Sequence, residues 1–213
     1  VIKHAVERAG IDPQEVEDVV MGCGRPEGAT GKNVARLSAI RAGLPVTTAA
    51  TTINRFCSSG LQAIATAAQR VIVDKVPVMV AGGVESISLV EKSLNQSHIE
   101  EEWLMKHKPE LWMPMIETAD TVAGRYGISR EAQDEYALIS EQRTAAAQDA
   151  GRFDDEIVPL ASVKQVTEKE SCETHDEQVT LEKDEGNRPQ TSAEGLAKLE
   201  PVLGPEKWIT AGN

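Results

Sequence analysis

The chain has 213 residues, enough for one or two domains with a proper core, and 22 Lys and Arg against 34 Asp and Glu give it a net charge of −12. Such an acidic chain repels phosphate backbones, its 3% aromatic content leaves little for stacking bases, and no apolar run reaches the ~20 residues of a membrane span. Cysteines at 23, 57 and 172 are too few and too scattered for a disulfide scaffold or a zinc cage, so a protein of a reducing, cytoplasmic compartment is expected, without nucleic acid or membrane as partner.

In chain order, residues 1–9 carry Ile2, Ala5, Val6 and Ala9 at helical spacing, with Gly10 as the stop. Val16, Val19, Val20 and Met21 predict a short buried strand ending at Gly22, followed by a glycine-rich loop to Gly31. Asn33 is placed to cap a helix with Val34, Leu37 and Ile40 as its inner face, closed by Gly43 and Pro45. Residues 48–53 are small and β-branched and predict a strand. A tight turn from Asn54 to Gly60 leads into a helix over 61–73, with Leu61, Ile64, Ala65, Ala68 and Ile72 on one stripe. Residues 77–81 form a continuous apolar run, expected as a strand buried on both faces. Strand, helix and strand at this spacing predict a βαβ unit in a mostly parallel sheet.

After Ser88 the pattern changes. Residues 91–110 are polar, with Trp103 and Trp112 as isolated anchors; 118–126 predict a helix stopped by Gly127; and Ser129 is placed to cap a longer one reaching Ala150. A strand is expected over 156–160. Residues 163–187 hold eight acids and three lysines, and Val163, Val166, Val179 and Leu181 alternate as in a half-exposed hairpin. Ser192 would open a short helix through Leu199, and the apolar run 208–213 reads as a strand. The fold class expected is therefore α/β, a mixed and mostly parallel sheet with helices over 1–88, interrupted by an α+β excursion over 89–205, with 206–213 returning to the core. Val1 opens directly on a helical pattern and Asn213 closes on an apolar one, so both ends read as cut and a fragment is expected.

The segment Gly22-Cys23-Gly24-Arg25-Pro26-Glu27-Gly28 invites a dinucleotide reading. Its spacing is not G-x-G-x-x-G, Pro26 interrupts it and no Lys-Ser/Thr follows, so a plain strand-to-helix connection is expected, with Cys23 a small core residue. Cys172 and His175 share an acidic loop without the second ligand pair of a zinc site, so no metal is expected there. His4, His98 and His107 are expected at the surface or satisfied.

Cys57 is different, because it sits where a strand turns into a helix, with Ser58, Ser59 and Gly60 leading in. Backbone N–H groups of a first helical turn are unpaired and carry roughly half a positive charge, which stabilises a thiolate. Small neighbours let a carbonyl approach the sulfur. From placement alone a structural cysteine is the commoner outcome, and a nucleophile is the alternative.

The words around Cys57 resemble the thiolase family: Asn54-Arg55-Phe56-Cys57-Ser58-Ser59-Gly60-Leu61-Gln62-Ala63-Ile64 is similar to its nucleophile segment. In register with it, Val80-Ala81-Gly82-Gly83-Val84-Glu85-Ser86 resembles the family's Gly-Gly-x-Glu-Ser turn, and Gly31-Lys32-Asn33-Val34-Ala35-Arg36 its Gly-x-Asn-x-Ala-Arg. Residues 115–123 resemble its Met-Gly-x-Thr-Ala-Glu-x-Val-Ala box, and residues 152–157 and 209–213 also match, so the resemblance covers nearly the whole chain.

The resemblance implies a thiolase-like core lacking its second half and an acyltransferase. The enzyme would cleave 3-ketoacyl-CoA with free CoA, or run the reverse condensation, through an acyl group on Cys57, whose N–H would be one oxyanion donor. It further implies Met115 beside the acyl pocket, Arg188 at the nucleotide end of CoA, CoA as substrate with no covalent cofactor, no metal, and a homodimer or homotetramer in fatty acid β-oxidation. Pro114 stands before Met115 where acetoacetyl-type members carry His, which favours the broader 3-ketoacyl-CoA class over an acetoacetyl-CoA-forming acetyltransferase. Ile116 replaces the Gly of that box, and the family's Gly-His-Pro and Cys-x-Gly-Gly-Gly motifs are not in these 213 residues, so the chain alone is expected to be inactive. The rival readings are a ketoacyl synthase-like enzyme, which shares a Cys-Ser-Ser turn, and a non-catalytic fragment.

Overall fold

The strand β1 (Asp18–Gly22) is buried along its whole length because it alone in its sheet has a neighbour on each side. The computed structural model describes residues 1–169 and 172–213, which form two compact units, Val1–Ile99 and Glu100–Asn213. In the first unit β1 pairs in parallel with β2 (Ala49–Ile53) and β3 (Met79–Gly83), Val20 lying opposite Thr51 on one side and Ala81 on the other. The parallel sheet with covering helices is the architecture expected. The third strand was expected to be buried on both faces; it is an edge strand here and only half-buried, with Pro77 ahead of it.

The helices α1 (Ile2–Ala9), α2 (Val34–Arg41) and α3 (Ser59–Gln69) lie in this unit. Gly10 ends α1 in the left-handed conformation that glycine adopts without steric cost, and Asn33 caps α2 through its side chain. Ile2, Val6, Val16, Val19, Met21, Ala35, Ala39 and Leu44 form one core cluster.

Two helix faces depart from expectation. In α2 the buried residues are Val34, Ala35 and Ala39, while Leu37 and Ile40 are exposed. In α3 they are Ser59, Ala63 and Ala67, while Leu61 is 71% exposed and Ile64 is exposed with it, as is Ile72 just beyond the helix. Small side chains let both helices approach the sheet closely, and the larger apolar residues are turned outward. The helix expected to reach 73 leaves the α form after Gln69 and finishes in a π turn, Arg70–Asp74, closed by Lys75 at φ 60°. A short helix α4 (Ile87–Val90) packs near the turn at Gly28–Thr30 and buries Val90, so this unit runs on beyond Ser88.

The second unit holds α5 (Glu102–His107), α6 (Met115–Tyr126), α7 (Arg130–Asp149), a hairpin of β4 (Leu160–Thr167) and β5 (Thr174–Leu181), and α8 (Ala193–Ala197). Gly127 and Ser129 act as read from the sequence, one as a left-handed stop and the other as a cap accepting from the Ala132 N–H. The strand expected over 156–160 begins only at Leu160, since Pro159 offers no N–H to a ladder. The hairpin is antiparallel, with Ser162 opposite Val179 and Val166 opposite His175; Val163 and Leu181 are exposed, so little of it is covered. Within the expected hairpin segment, Glu170 and Ser171 lie outside the described residues. Among the described residues no helix is long and apolar enough to cross a membrane.

Residues 206–213, expected as a strand returning to the core, form no strand. They pack within this unit instead: the Trp208 ring lies 3.2 Å from where a Cβ on Gly124 would be, and the Asn213 side chain donates to Asp134 at 2.8 Å. Their main anchor is Asp120, 2% exposed, which accepts from Lys207 Nζ at 2.8 Å and from the Trp208 N–H at 3.0 Å. The hydrogen bond from Lys207, then that from Trp208, holds the Asp120 carboxyl below the ordinary carboxylate range. A lowered folded-state pKa gives stability that is fully present above the unfolded value of about 4 and is lost as pH falls through the folded one. Acid unfolding followed below about pH 4 is expected to show a smaller pH dependence in Asp120→Asn than in the parent. Equal slopes would show that this carboxylate does not carry the anchor.

Candidate active site

Where β2 ends, the chain makes a turn whose every step is fixed by a short polar side chain. Asn54 Oδ1 accepts from the Phe56 N–H at 2.8 Å, and Phe56 sits at φ 48°, a left-handed conformation rare for a bulky residue. Ser59 holds it there: its Oγ donates to the Phe56 carbonyl at 2.6 Å and accepts from the Arg55 N–H at 2.8 Å, while its own N–H reaches the same carbonyl at 3.0 Å. Ser58 is the N-cap of α3, and the Arg55 guanidinium bonds the side chain of Gln62. Cys57 therefore stands one residue before the cap of an 11-residue helix, exposed and with a free thiol.

Beneath this turn lies bare backbone. A Cβ on Gly22, at the end of β1, would fall 2.3 Å from the Ser59 carbonyl carbon and 2.6 Å from the Gly60 nitrogen, so only glycine lets the first turn of α3 rest there. A Cβ on Gly83, at the end of β3, would lie 3.7 Å from the Gly60 Cα, an ordinary contact. Glu85 accepts from the Gly24 N–H at 2.7 Å and the Arg25 N–H at 3.1 Å, and Cys23 Sγ lies 3.7 Å from its other oxygen. Gly22 and Gly24 thus do more than connect a strand to a helix, which is all the sequence reading allowed them. Their signal was available: glycines and one acid gathered at the carboxyl ends of adjacent parallel strands, where open α/β sheets place their sites.

Asn33 and Arg36, in the matched segment 31–36, hold the frame. The Asn33 side chain donates to the Ala50 carbonyl at 3.0 Å and accepts from Thr52 Oγ1 at 2.8 Å, and the Arg36 guanidinium bonds the Thr48 carbonyl and, at 2.8 Å, that of Val46.

Met115 and Arg188 both lie in the second unit. Met115 opens α6, is 77% exposed, and borders an apolar groove of about 720 Å³ with Val122, Ile128, Tyr136 and Ile209. The Arg188 N–H donates to Glu141 Oε2 at 2.7 Å, and Glu141 lines a separate hollow of about 400 Å³ with Gln148, Phe153 and Asp184. Cys23 is buried, Cys172 is exposed, and His175 lies 3.8 Å from Glu168. Among the described residues no group of three His, Cys, Asp or Glu is placed to hold a metal ion.

A family model described as the thiolase N-terminal domain matches residues 1–213. Over its whole length the chain is 41% identical to a 3-ketoacyl-CoA thiolase of Bacillus subtilis, covering 54% of that protein. It is likewise 38% identical to an acetyl-CoA acetyltransferase of Chromobacterium violaceum, covering 55% of it. The crystal structure of the acetyl-CoA acetyltransferase of Bacillus anthracis superposes on the whole chain with a TM-score of 0.81 at 36% identity, with 54% of that structure covered. The chain spans about half the length of the curated relatives it matches.

Proposed function

The chain belongs to the thiolase family, and on that premise we propose that Cys57 is the acyl-accepting nucleophile of an acyltransferase acting on 3-ketoacyl-CoA and CoA. The observation that supports it is the exposed thiol at the start of α3, on a turn that Asn54 and Ser59 hold in one conformation. In this reading the Cys57 sulfur attacks the 3-keto carbon and the C2–C3 bond breaks. Its electron pair stays on the acetyl-CoA carbon, which takes up a proton, and the shortened acyl group remains as a thioester on Cys57. The thiol of a second CoA, giving up its proton to a base, then displaces the sulfur of Cys57. The Cys57 N–H is one donor to the oxyanion that forms at each addition. The proton carriers are the His of Gly-His-Pro and the Cys of Cys-x-Gly-Gly-Gly that the family uses, neither of which is among these 213 residues.

In the same reading Met115 borders the acyl chain, Arg188 contacts the nucleotide end of CoA, and residues 89–205 form the CoA-covering segment. The whole protein is a cytoplasmic homodimer or homotetramer that works in β-oxidation. Pro114 supports the broader 3-ketoacyl-CoA class, since it supplies no imidazole beside Met115. The test is a CoA-dependent thiolysis assay of the whole protein with acetoacetyl-CoA and with a longer 3-ketoacyl-CoA, beside the 213-residue chain alone. The expected result is turnover by the whole protein, with the higher kcat/KM on the longer substrate, and none by the 213-residue chain. Higher kcat/KM on acetoacetyl-CoA would move the assignment to the acetyltransferase class, and thiolysis of neither would refute the function.

A further inference from the structure

Glu85 takes no part in the chemistry just described, yet its carboxylate grips backbone beside the nucleophile turn. One oxygen accepts the N–H groups of both Gly24 and Arg25, and the other faces Cys23 Sγ. Gly24 is wedged in turn: a Cβ there would lie 2.9 Å from Glu85 Oε2 and 3.4 Å from the Phe56 carbonyl oxygen. That carbonyl belongs to the same peptide unit as the Cys57 N–H. A peptide is planar and trans, so fixing the direction of its C=O fixes the opposite direction of its N–H. The Phe56 carbonyl is bonded by the Ser59 hydroxyl and N–H, and it lies beside Gly24, within ordinary contact of the place a Cβ on that glycine would take.

From this arrangement we infer that Glu85 is a positioning residue for the oxyanion donor: by fixing the Gly24 backbone beside the Phe56 carbonyl it keeps the Phe56–Cys57 peptide plane, and hence the Cys57 N–H, in the orientation used at the reacting carbonyl. The inference rests on Cys57 being the acyl acceptor. It is argued from hydrogen bonding: a single oxygen of the carboxylate receives both N–H groups, and the side-chain amide oxygen of glutamine has the same acceptor geometry, though a weaker pull than a carboxylate.

The role separates two reactions of the same sulfur. Acylation by an acyl-CoA passes through an oxyanion, whereas alkylation by iodoacetamide displaces iodide at a saturated carbon and needs no oxyanion donor. Glu85→Ala, Glu85→Gln and Glu85→Asp in the whole protein are to be followed by mass on the peptide carrying Cys57, because Cys172 is also exposed. Losing one oxyanion donor outright slows acyl transfer about 10²–10³-fold, so a misdirected one in Glu85→Ala is expected to slow acylation about tenfold or more, with alkylation within about twofold of the parent. Glu85→Gln should acylate close to the parent rate, and Glu85→Asp, one methylene too short, should be slow. If Glu85→Ala does not fold, the Gln and Asp pair carries the test. Acylation at the parent rate in Glu85→Ala, acylation and alkylation falling together, or Glu85→Gln no better than Glu85→Asp would each overturn the role. A parent that alkylates at Cys57 but is never acylated there would instead overturn the proposed function, and this role with it.

Discussion

Cys57→Ala is expected to bring thiolysis by the whole protein down to background, a loss of about 10⁴-fold or more, as removing a covalent nucleophile does elsewhere. Of the other two cysteines in these 213 residues, Cys23 is buried beside Glu85, and Cys172 belongs to the loop between β4 and β5, which matches no part of the nucleophile segment. Cys57→Ser keeps the geometry and replaces sulfur with a hydroxyl, which is a poor nucleophile near neutral pH unless a base activates it. Its rate should fall nearly as far. The measurement is steady-state thiolysis with each variant shown by circular dichroism to be folded. Activity in Cys57→Ala within about a hundredfold of the parent would mean that the acyl group travels another way.

Gly22→Ala is expected to cost more stability than any other single methyl added to the first unit. Its Cβ would sit 2.3 and 2.4 Å from the carbonyl carbon and oxygen of Ser59 and 2.6 Å from the Gly60 nitrogen, all backbone atoms of the first turn of α3. Overpacking against side chains costs about 1–3 kcal/mol because side chains yield, but here β1 and α3 must separate as bodies. With total stability of about 5–15 kcal/mol for a typical domain, the folded population itself is at stake. Gly60→Ala is the control: its Cβ would meet nothing within 4 Å, and alanine is favoured over glycine in a helix by about 1 kcal/mol. Chemical denaturation should therefore give a midpoint far below the parent for Gly22→Ala and one at or above it for Gly60→Ala. Equal midpoints for Gly22→Ala and the parent would show that α3 does not seat on Gly22.

That contrast also explains what the sequence could and could not tell. Elements with a local cause were legible: Gly10 and Gly127 as left-handed stops, Asn33, Ser129 and Ser192 as caps, and the turn that presents Cys57. The inward faces of α2 and α3 were not. Hydrophobic periodicity follows the bulky residues, so it selected Leu37, Ile40, Leu61 and Ile64, whereas the sheet accepts only what lies flat on it, Ala35 and Ala39 in one helix and Ala63 and Ala67 in the other. The same close approach hid Gly22, whose importance lies in a Cβ it does not have.

The candidate site divides along the same line. Cys57 could be read from its place before a helix and from its neighbours in sequence. Glu85 stood out only as part of the Gly-Gly-x-Glu-Ser resemblance; its partners are the backbone N–H groups of residues 61 and 60 positions away, a pairing that no spacing of side chains records. Met115 and Arg188 were named from the resemblance alone; Met115 borders the apolar groove of the second unit, while the Arg188 N–H is held by Glu141.

The most direct measurement is the mass of the peptide carrying Cys57 after brief incubation of the whole protein with an acyl-CoA, without free CoA. The account predicts that this peptide gains the mass of the acyl group, that added CoA removes it, and that Cys57→Ala acquires no such mass on any peptide. An acyl group on another residue, or an unmodified Cys57 in protein that turns over, would contradict it.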